Sequence, residues 1–306
     1  MITRSALIWL SRRQGFKDFA THLPYFKKLT TRFVAGDTIE EVIPIIRQLN
    51  VENCTASFDH LNESVKNMTE AEHEVAEYVN ILSKIDETQI RSNVSIKLTQ
   101  FGLNIDPELA YRNARSVVEE AHRRGNFVRV DMEDSNVTQL TIDLFKRLRG
   151  DFGLDDVGIV LQSYLYRTYA DAQELVKLPA RIRICKGAYN EPPEVAFPEK
   201  KDVDANYLKV MQLLLSSGVY HGIATHDPKM IDATIEFATR EGIGKEKFEF
   251  QMLYGIRRDL QRQLARDGFN VRIYVPYGKH WYPYFMRRLA ERPANIWFVL
   301  KNLAKG

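Results

Sequence analysis

Eight short apolar runs, each ended by polar or glycine residues and followed by an amphipathic stretch, set the strongest limit on how this chain can fold. The runs cover residues 53–59, 93–98, 127–132, 158–162, 181–185, 222–225, 248–253 and 270–274. Val, Ile and Phe dominate them, so each reads as a strand. Helical periodicity fills the gaps, for example over 107–124, 137–148, 205–215, 229–240 and 258–266. Gly125, Gly218, Gly242 and Gly268 follow four of these helices, where a left-handed cap residue is expected. Strands that alternate with helices make a parallel sheet. Eight such pairs in 306 residues predict an α/β fold, a distorted (βα)₈ TIM-type barrel, with a doubly wound sheet as the alternative. No Pro/Gly/Ser linker divides the chain. The expected organisation is an N-terminal helical arm over 1–50 and a barrel domain over 51–306.

Composition narrows the function classes. The net charge of +3 is too small to argue for a nucleic-acid partner, and the arginines from Arg257 to Arg272 are interrupted by Asp259 and Asp267, as on a solvated outer helix. Cys54 and Cys185 both sit in strand-like runs far apart, so a disulfide framework is not expected and a reducing, cytoplasmic compartment fits. No apolar run reaches the roughly 18 residues of a spanning helix. The apolar stretch from Ala6 to Leu10 lies between arginines and reads as an amphipathic helix that docks on the domain, with peripheral contact at the inner face of the membrane left open. The histidines lack metal-ligand spacing, and Asp131, Glu133 and Asp134 have no phosphate-binding glycines beside them, so no metal is expected. No Gly-x-Gly-x-x-Gly loop is present, which disfavours a Rossmann dinucleotide site.

A barrel carries its chemistry at the C-terminal ends of its strands, and here those ends are polar. They read Ser95-Ile-Lys97-Leu-Thr-Gln100, Arg129-Val-Asp131-Met132-Glu133-Asp134, Gln162-Ser163-Tyr164, Arg181-Ile-Arg183-Ile-Cys185-Lys186-Gly187-Ala188-Tyr189, Ala224-Thr225-His226-Asp227, Glu249-Phe-Gln251-Met-Leu253-Tyr254 and Arg272-Ile-Tyr274. A single strand-end charge is more often half of a structural ion pair. Seven such ends are hard to explain as structure alone, because every buried charge must be desolvated and paired. After the last strand, Tyr284, Arg287, Arg288 and Glu291 fall at i, i+3, i+4 and i+7 of a predicted helix, on one face. Two guanidinium forks beside a phenol form a carboxylate clamp, because Arg presents planar paired donors.

Taken in order, the segments beginning Ser95, Val128, Arg183, Ala224, Phe248 and Tyr284 resemble the successive motifs of the proline dehydrogenases, most closely the short monofunctional bacterial form, over roughly residues 50–300. The resemblance implies a distorted (βα)₈ barrel holding non-covalent FAD. It implies oxidation of L-proline to Δ¹-pyrroline-5-carboxylate, the first step of proline catabolism, with hydride passing to flavin N5 and electrons onward to a membrane quinone. It also implies site roles. Lys97, Arg287 and Arg288 would bind the proline carboxylate, and Asp131 would order the site by pairing with an Arg288-type guanidinium. Tyr189, Leu253, Tyr274 and Tyr284 would wall the ring, and Arg183 would lie at N5. Met132, Gln162, Cys185, Lys186, Gly187, Ala188, Thr225, His226 and Glu291, together with Asp131 and Arg183, would contact the flavin. Cys185 departs from the Val usual in the family, and the short Tyr274-to-Tyr284 spacing fits the monofunctional branch.

Two other functions fit parts of the pattern. A Schiff-base aldolase would use Lys97 or Lys186 at a strand end. A catalytically silent barrel would only bind a ligand or partner. Neither accounts for the double-Arg helix together with the polar strand ends.

Overall fold

The computed structural model describes residues 30–62 and 65–291. Helix α1 (Ile39–Val51) leads into eight strand–helix units: β1 (Cys54–His60), α2 (Met68–Thr88), β2 (Ser92–Ile96), α3 (Pro107–Arg123), β3 (Val128–Val130), α4 (Thr138–Asp151), β4 (Val157–Gln162), α5 (Thr168–Lys177), β5 (Arg181–Cys185), α6 (Lys200–Leu215), β6 (His221–Ala224), α7 (Pro228–Arg240), β7 (Phe248–Leu253), α8 (Arg258–Arg266), β8 (Asn270–Tyr277) and α9 (Tyr282–Glu291). The strands run parallel in sequence order, and β8 pairs back onto β1 from Cys54↔Val271 to His60↔Tyr277. Closure excludes the doubly wound alternative. Gly125, Gly218, Gly242 and Gly268 take positive φ just past α3, α6, α7 and α8.

Period-2 alternation separates two environments. Ala56, Phe58, Val94, Ile96, Val128, Val130, Ile159, Ile182, Ile184, Phe250, Ile273 and Val275 are buried in one apolar core with the helix faces. Burial of these side chains supplies the main driving force for closure. The intervening residues form a barrel lumen rich in charge: Ser57, Asp59, Ser95, Lys97, Arg129, Asp131, Arg183, Glu249 and Gln251 are all buried. Small residues make this possible. Gly158 stands between Arg129 and Arg181 in the register, and a Cβ there would lie 2.5 Å from Arg129 Nη1.

Of the expected 1–50 arm, residues 1–29, with the stretch from Ala6 to Leu10, lie outside the described residues. The remainder includes α1, whose Ile39, Val42, Ile43 and Ile46 join the same apolar core. Ala35 and Gly36 also run along the end of β8, where Ala35 N–H donates to Pro276 O and Gly278 N–H to Gly36 O.

Candidate active site

The lumen charges fall into two layers. Moving two residues along a strand is a rise of about 6.6 Å on the same face. Arg129, Arg181, Glu249 and Arg272 therefore lie one layer below Asp131, Arg183, Gln251 and Tyr274. This corrects the reading that gathers all of them at the strand ends. In the lower layer Arg129 Nη1 donates to the carbonyls of Ile159 and Arg181, while Arg272 donates to Glu249 at 2.8 and 3.0 Å and to Ala56 O at 2.7 Å. Burial opposes ionisation of Glu249, yet the Arg272 charge and hydrogen bonds win and hold its carboxyl below the usual range.

The upper layer is one connected network. Arg183 Nη1 donates to Asp131 Oδ1 at 2.8 Å, and Nη2 donates to Ser95 Oγ at 3.1 Å. Ser95 in turn meets Ser57 Oγ at 3.1 Å. Tyr274 OH donates to the other Asp131 oxygen at 2.6 Å, and the Arg183 guanidinium lies 5.3 Å from the Tyr274 ring centre. Lys97 Nζ sits 2.5 Å from Asp59 Oδ1, 3.3 Å from Tyr274 OH and 3.9 Å from Asp131 Oδ2. Burial, reinforced by Asp131 and Asp59, drives the Tyr274 phenol well above its usual range, so it stays a hydrogen-bond donor. The guanidinium that meets Asp131 is that of Arg183, two strands away, where the resemblance implied one of the Arg288 type. Asp59 and Ser57 were not singled out in the sequence. Their signal was available: Thr55, Ser57 and Asp59 alternate on one face of β1.

The rim adds further polar groups. Gln162 Nε2 donates to Met132 O at 2.7 Å and Glu133 O at 3.1 Å. That fixes the amide, and its buried Oε1 is left without a partner, as is Arg183 Nε. Cys185, half-buried, places Sγ 3.6 Å from Leu161 O, and burial raises its thiol to about 12. Lys186 turns to Asp204 at 2.6 Å and Asp227 at 2.8 Å. Gly187 has φ +108°, and a Cβ there would lie 2.1 Å from the Tyr164 ring, so only glycine lets this turn rest on the ring. Thr225 Oγ1 accepts from Asp227 N, and His226 Nε2 accepts from Leu253 N–H at 2.8 Å. An accepting Nε2 leaves the imidazole proton on Nδ1. Ala188, Tyr189 and Leu253 are half-buried at the same rim.

Helix α9 reaches over this mouth. Arg288 is buried and stacks on Tyr284 at 5.2 Å, and its charge acts on the Cys185 thiol. Arg287 stands 6.0 Å from the centre of the Tyr189 ring, on the loop after β5. Adjacent helical residues diverge, so the two guanidinium groups address different neighbours. Glu291 ends α9, but its side chain lies outside the described residues. Among the described residues, no group of three or more His, Cys, Asp or Glu side chains is placed to hold a metal ion.

A (βα)₈ barrel with a buried charged network at its C-terminal mouth, overlaid by an arginine-bearing helix, is an enzyme architecture suited to a small anionic or zwitterionic ligand. The family described as proline dehydrogenase matches residues 42–301, and the chain belongs to that family. It is 43% identical over 305 residues to proline dehydrogenase 2 of Bacillus subtilis strain 168, covering 100% of both chains. It is 40% identical over 306 residues to proline dehydrogenase of Deinococcus radiodurans, covering 99% of this chain and 98% of that one. The crystal structure of proline utilization A from Bdellovibrio bacteriovorus inactivated by N-propargylglycine superposes with a TM-score of 0.81 at 22% identity, covering 93% of this chain and 38% of that longer one.

Proposed function

We propose that this chain oxidises L-proline to Δ¹-pyrroline-5-carboxylate with non-covalently bound FAD, passing electrons to a membrane quinone. The observation that carries the reading is the side-chain network of Asp59, Lys97, Asp131, Arg183 and Tyr274, roofed by Arg288 and Tyr284. Bound FAD supplies the two-electron acceptor for the C–N oxidation.

The residues fit that group on two counts. Gln162 offers a fixed, buried acceptor with no protein partner, suited to an imide N–H. Gly187 has no room for a side chain, so backbone alone faces the mouth there. Gln162, Met132, Cys185, Lys186, Gly187, Ala188, Thr225, His226 and Glu291 would line the cofactor. Lys97, Arg287 and Arg288 would hold the carboxylate, where charge-assisted bonds in a water-poor pocket are strong. Tyr189, Leu253, Tyr274 and Tyr284 would wall the ring, while the grip on the carboxylate fixes the donor carbon, which is the main source of rate. Arg183, held by Asp131 and Ser95, would place a permanent positive charge where the acceptor becomes anionic.

The aldolase reading is weakened by the two lysines it needs. Lys97 is bound to Asp59, and Lys186 is bound to Asp204 and Asp227. A Schiff-base nucleophile needs a neutral amine. The test is a visible spectrum of the purified protein, followed by anaerobic addition of L-proline and acid precipitation. Flavin bands that bleach with proline, with the flavin released to the supernatant, are expected. A colourless protein without FAD affinity sinks the reading.

A further inference from the structure

We infer that Glu191 is a positioning residue that fixes Tyr189 at the mouth by tying the crest of the loop after β5 to the ends of β3 and β4.

This loop, residues 186–199, is sewn to the extension of β4 along both limbs. On the outgoing limb, Ser163 N–H donates to Cys185 O at 2.8 Å and Tyr164 N–H to Lys186 O at 3.0 Å. On the returning limb, Tyr166 N–H donates to Val195 O at 3.1 Å and Phe197 N–H to Tyr164 O at 2.8 Å. The Tyr166 ring packs edge-on against Phe197 at 4.6 Å, and its hydroxyl donates to Pro193 O. The crest between the limbs has a different tie. Glu191 Oε1 accepts from Ser135 N–H at 2.8 Å, Oε2 accepts from Ser135 Oγ, and Tyr164 OH reaches Oε1 at 3.4 Å.

The two tied residues are not arbitrary. Ser135 lies four residues beyond Asp131 on the same chain segment. Tyr164 lies two beyond Gln162, and its ring is the surface on which Gly187 rests. One carboxylate thus joins the segments that carry Asp131, Gln162 and Gly187. Tyr189 is two residues before it, with its ring below the Arg287 guanidinium. An ionised acceptor taking two donors from one residue is a strong, directional restraint on a partly buried loop. Without it, the crest loses its ties to Ser135 and to the Tyr164 hydroxyl, and Tyr189, two residues away, is held less firmly beneath Arg287.

The inference rests on the proposed role of Tyr189 as a ring wall, and it predicts a specific split. A wall contributes equally to the ground and transition states, so its loss raises KM and spares kcat. For Glu191→Ala we expect KM for L-proline to rise about tenfold or more, with kcat held within about threefold. Amide hydrogen exchange across 187–191 is expected to quicken, while exchange in β4 and β5 stays as in the wild type. Glu191→Gln keeps an acceptor for Ser135 N–H and is expected to restore most of the wild-type KM and exchange. Tyr164→Phe removes only the 3.4 Å contact and is expected to change KM little.

Hydrogen exchange needs no turnover, so it keeps this inference separate from the proposed activity. A wild-type protein without proline activity overturns the functional reading, whatever the loop does. Unchanged exchange in Glu191→Ala overturns the clamp. Faster exchange with unchanged KM overturns the link to Tyr189, and so does a loss confined to kcat. Should Glu191→Ala fail to fold, Ser135→Ala, which removes the Oγ donor to Glu191, carries the test: exchange and KM both unchanged from the wild type would overturn the inference.

Discussion

The lower and upper layers of the barrel lumen are both buried and both charged, yet they are built on opposite terms. In the lower layer Arg129 and Arg272 are tied to the scaffold, while Arg181 turns to the Asp155 side chain at the barrel's bottom edge. Arg129 ends on the carbonyls of Ile159 and Arg181, and Arg272 on Ala56 O as well as on Glu249. In the upper layer Arg183, Lys97 and Tyr274 make their hydrogen bonds to other side chains: Asp131, Ser95, Asp59 and each other. Main-chain acceptors cannot leave, so the lower layer is a fixed plug. Side-chain acceptors can change partners at the cost of a rotamer change, so the upper layer can receive a charged ligand. Burial of charge alone therefore does not mark a site; the kind of partner does.

The largest effect should come from breaking the plug. Arg272→Met leaves Glu249 buried without its ion-pair partner, with only the Gln251 amide and the Tyr220 hydroxyl as donors, which costs about 3–5 kcal/mol of stability. Denaturant titration should show that loss. The folded fraction should keep its KM for L-proline, since Asp131, Arg183 and Tyr274 bond to neither Arg272 nor Glu249, and Gln251 alone reaches Glu249 from above. A large KM change at unchanged stability would show that the two layers are not separable.

Arg183→Met should do the reverse. The limiting rate of flavin reduction by proline should fall about 10²–10³-fold, as for loss of a preorganised oxyanion donor. Stability should fall less than for Arg272→Met, because Asp131 keeps the Tyr274 hydroxyl and the Lys97 ammonium at 3.9 Å, whereas Glu249 loses its ion-pair partner. Stopped-flow reduction at saturating proline is the measurement, and an unchanged limiting rate removes Arg183 from the reacting centre.

The roof extends the comparison to α9. Arg288→Met should weaken proline and carboxylate-bearing competitors by about 1.5–3 kcal/mol, the worth of a charged hydrogen bond. Arg287→Met should cost less, because Arg287 is half-buried and stands over Tyr189. Titration of a proline analogue into the oxidised flavin spectrum ranks them. Equal wild-type affinities in both variants would remove the clamp.

Much of this architecture was legible in the sequence, for physical reasons. Strand–helix alternation and the glycines after helices are local signals, and the expected 181–185 and 248–253 strands coincide with β5 and β7. The division of the lumen was not legible. Arg129 and Asp131 are two residues apart and look alike in a string; only closure of the barrel puts one on carbonyls and the other on Arg183. Asp59 was within reach, since it stands next to the end of β1 on the lumen face, as Lys97 stands just beyond β2. Glu191 was not, because its bonds to Ser135 span 56 residues between two loops and carry no local pattern.

The smallest expected effect tests the lower end of the barrel through acid. His221 opens β6 with its ring fully buried outside the lumen. Nδ1 accepts from Ile182 N–H at 3.1 Å, and Nε2 meets Ser217 Oγ at 2.8 Å. Protonation would place a proton on Nδ1 against the Ile182 N–H, so burial first, and the Arg129 charge next, depress the imidazole from 6.5 to about 3. The folded state thus holds His221 neutral, whereas the unfolded chain binds a proton below 6.5. Its contribution is complete above that value and is lost as pH falls toward about 3. At one pH unit below the unfolded value the loss is about 1.4 kcal/mol. His221→Asn removes the titration. The variant should be less stable than wild type at neutral pH, yet the gap should narrow as pH drops below 6.5, since the other titrating groups are common to both. A gap that stays constant down to pH about 4 would mean that the ring is not held neutral. It would also mean that the β5–β6 edge at the lower end is not the acid-sensitive part of the barrel.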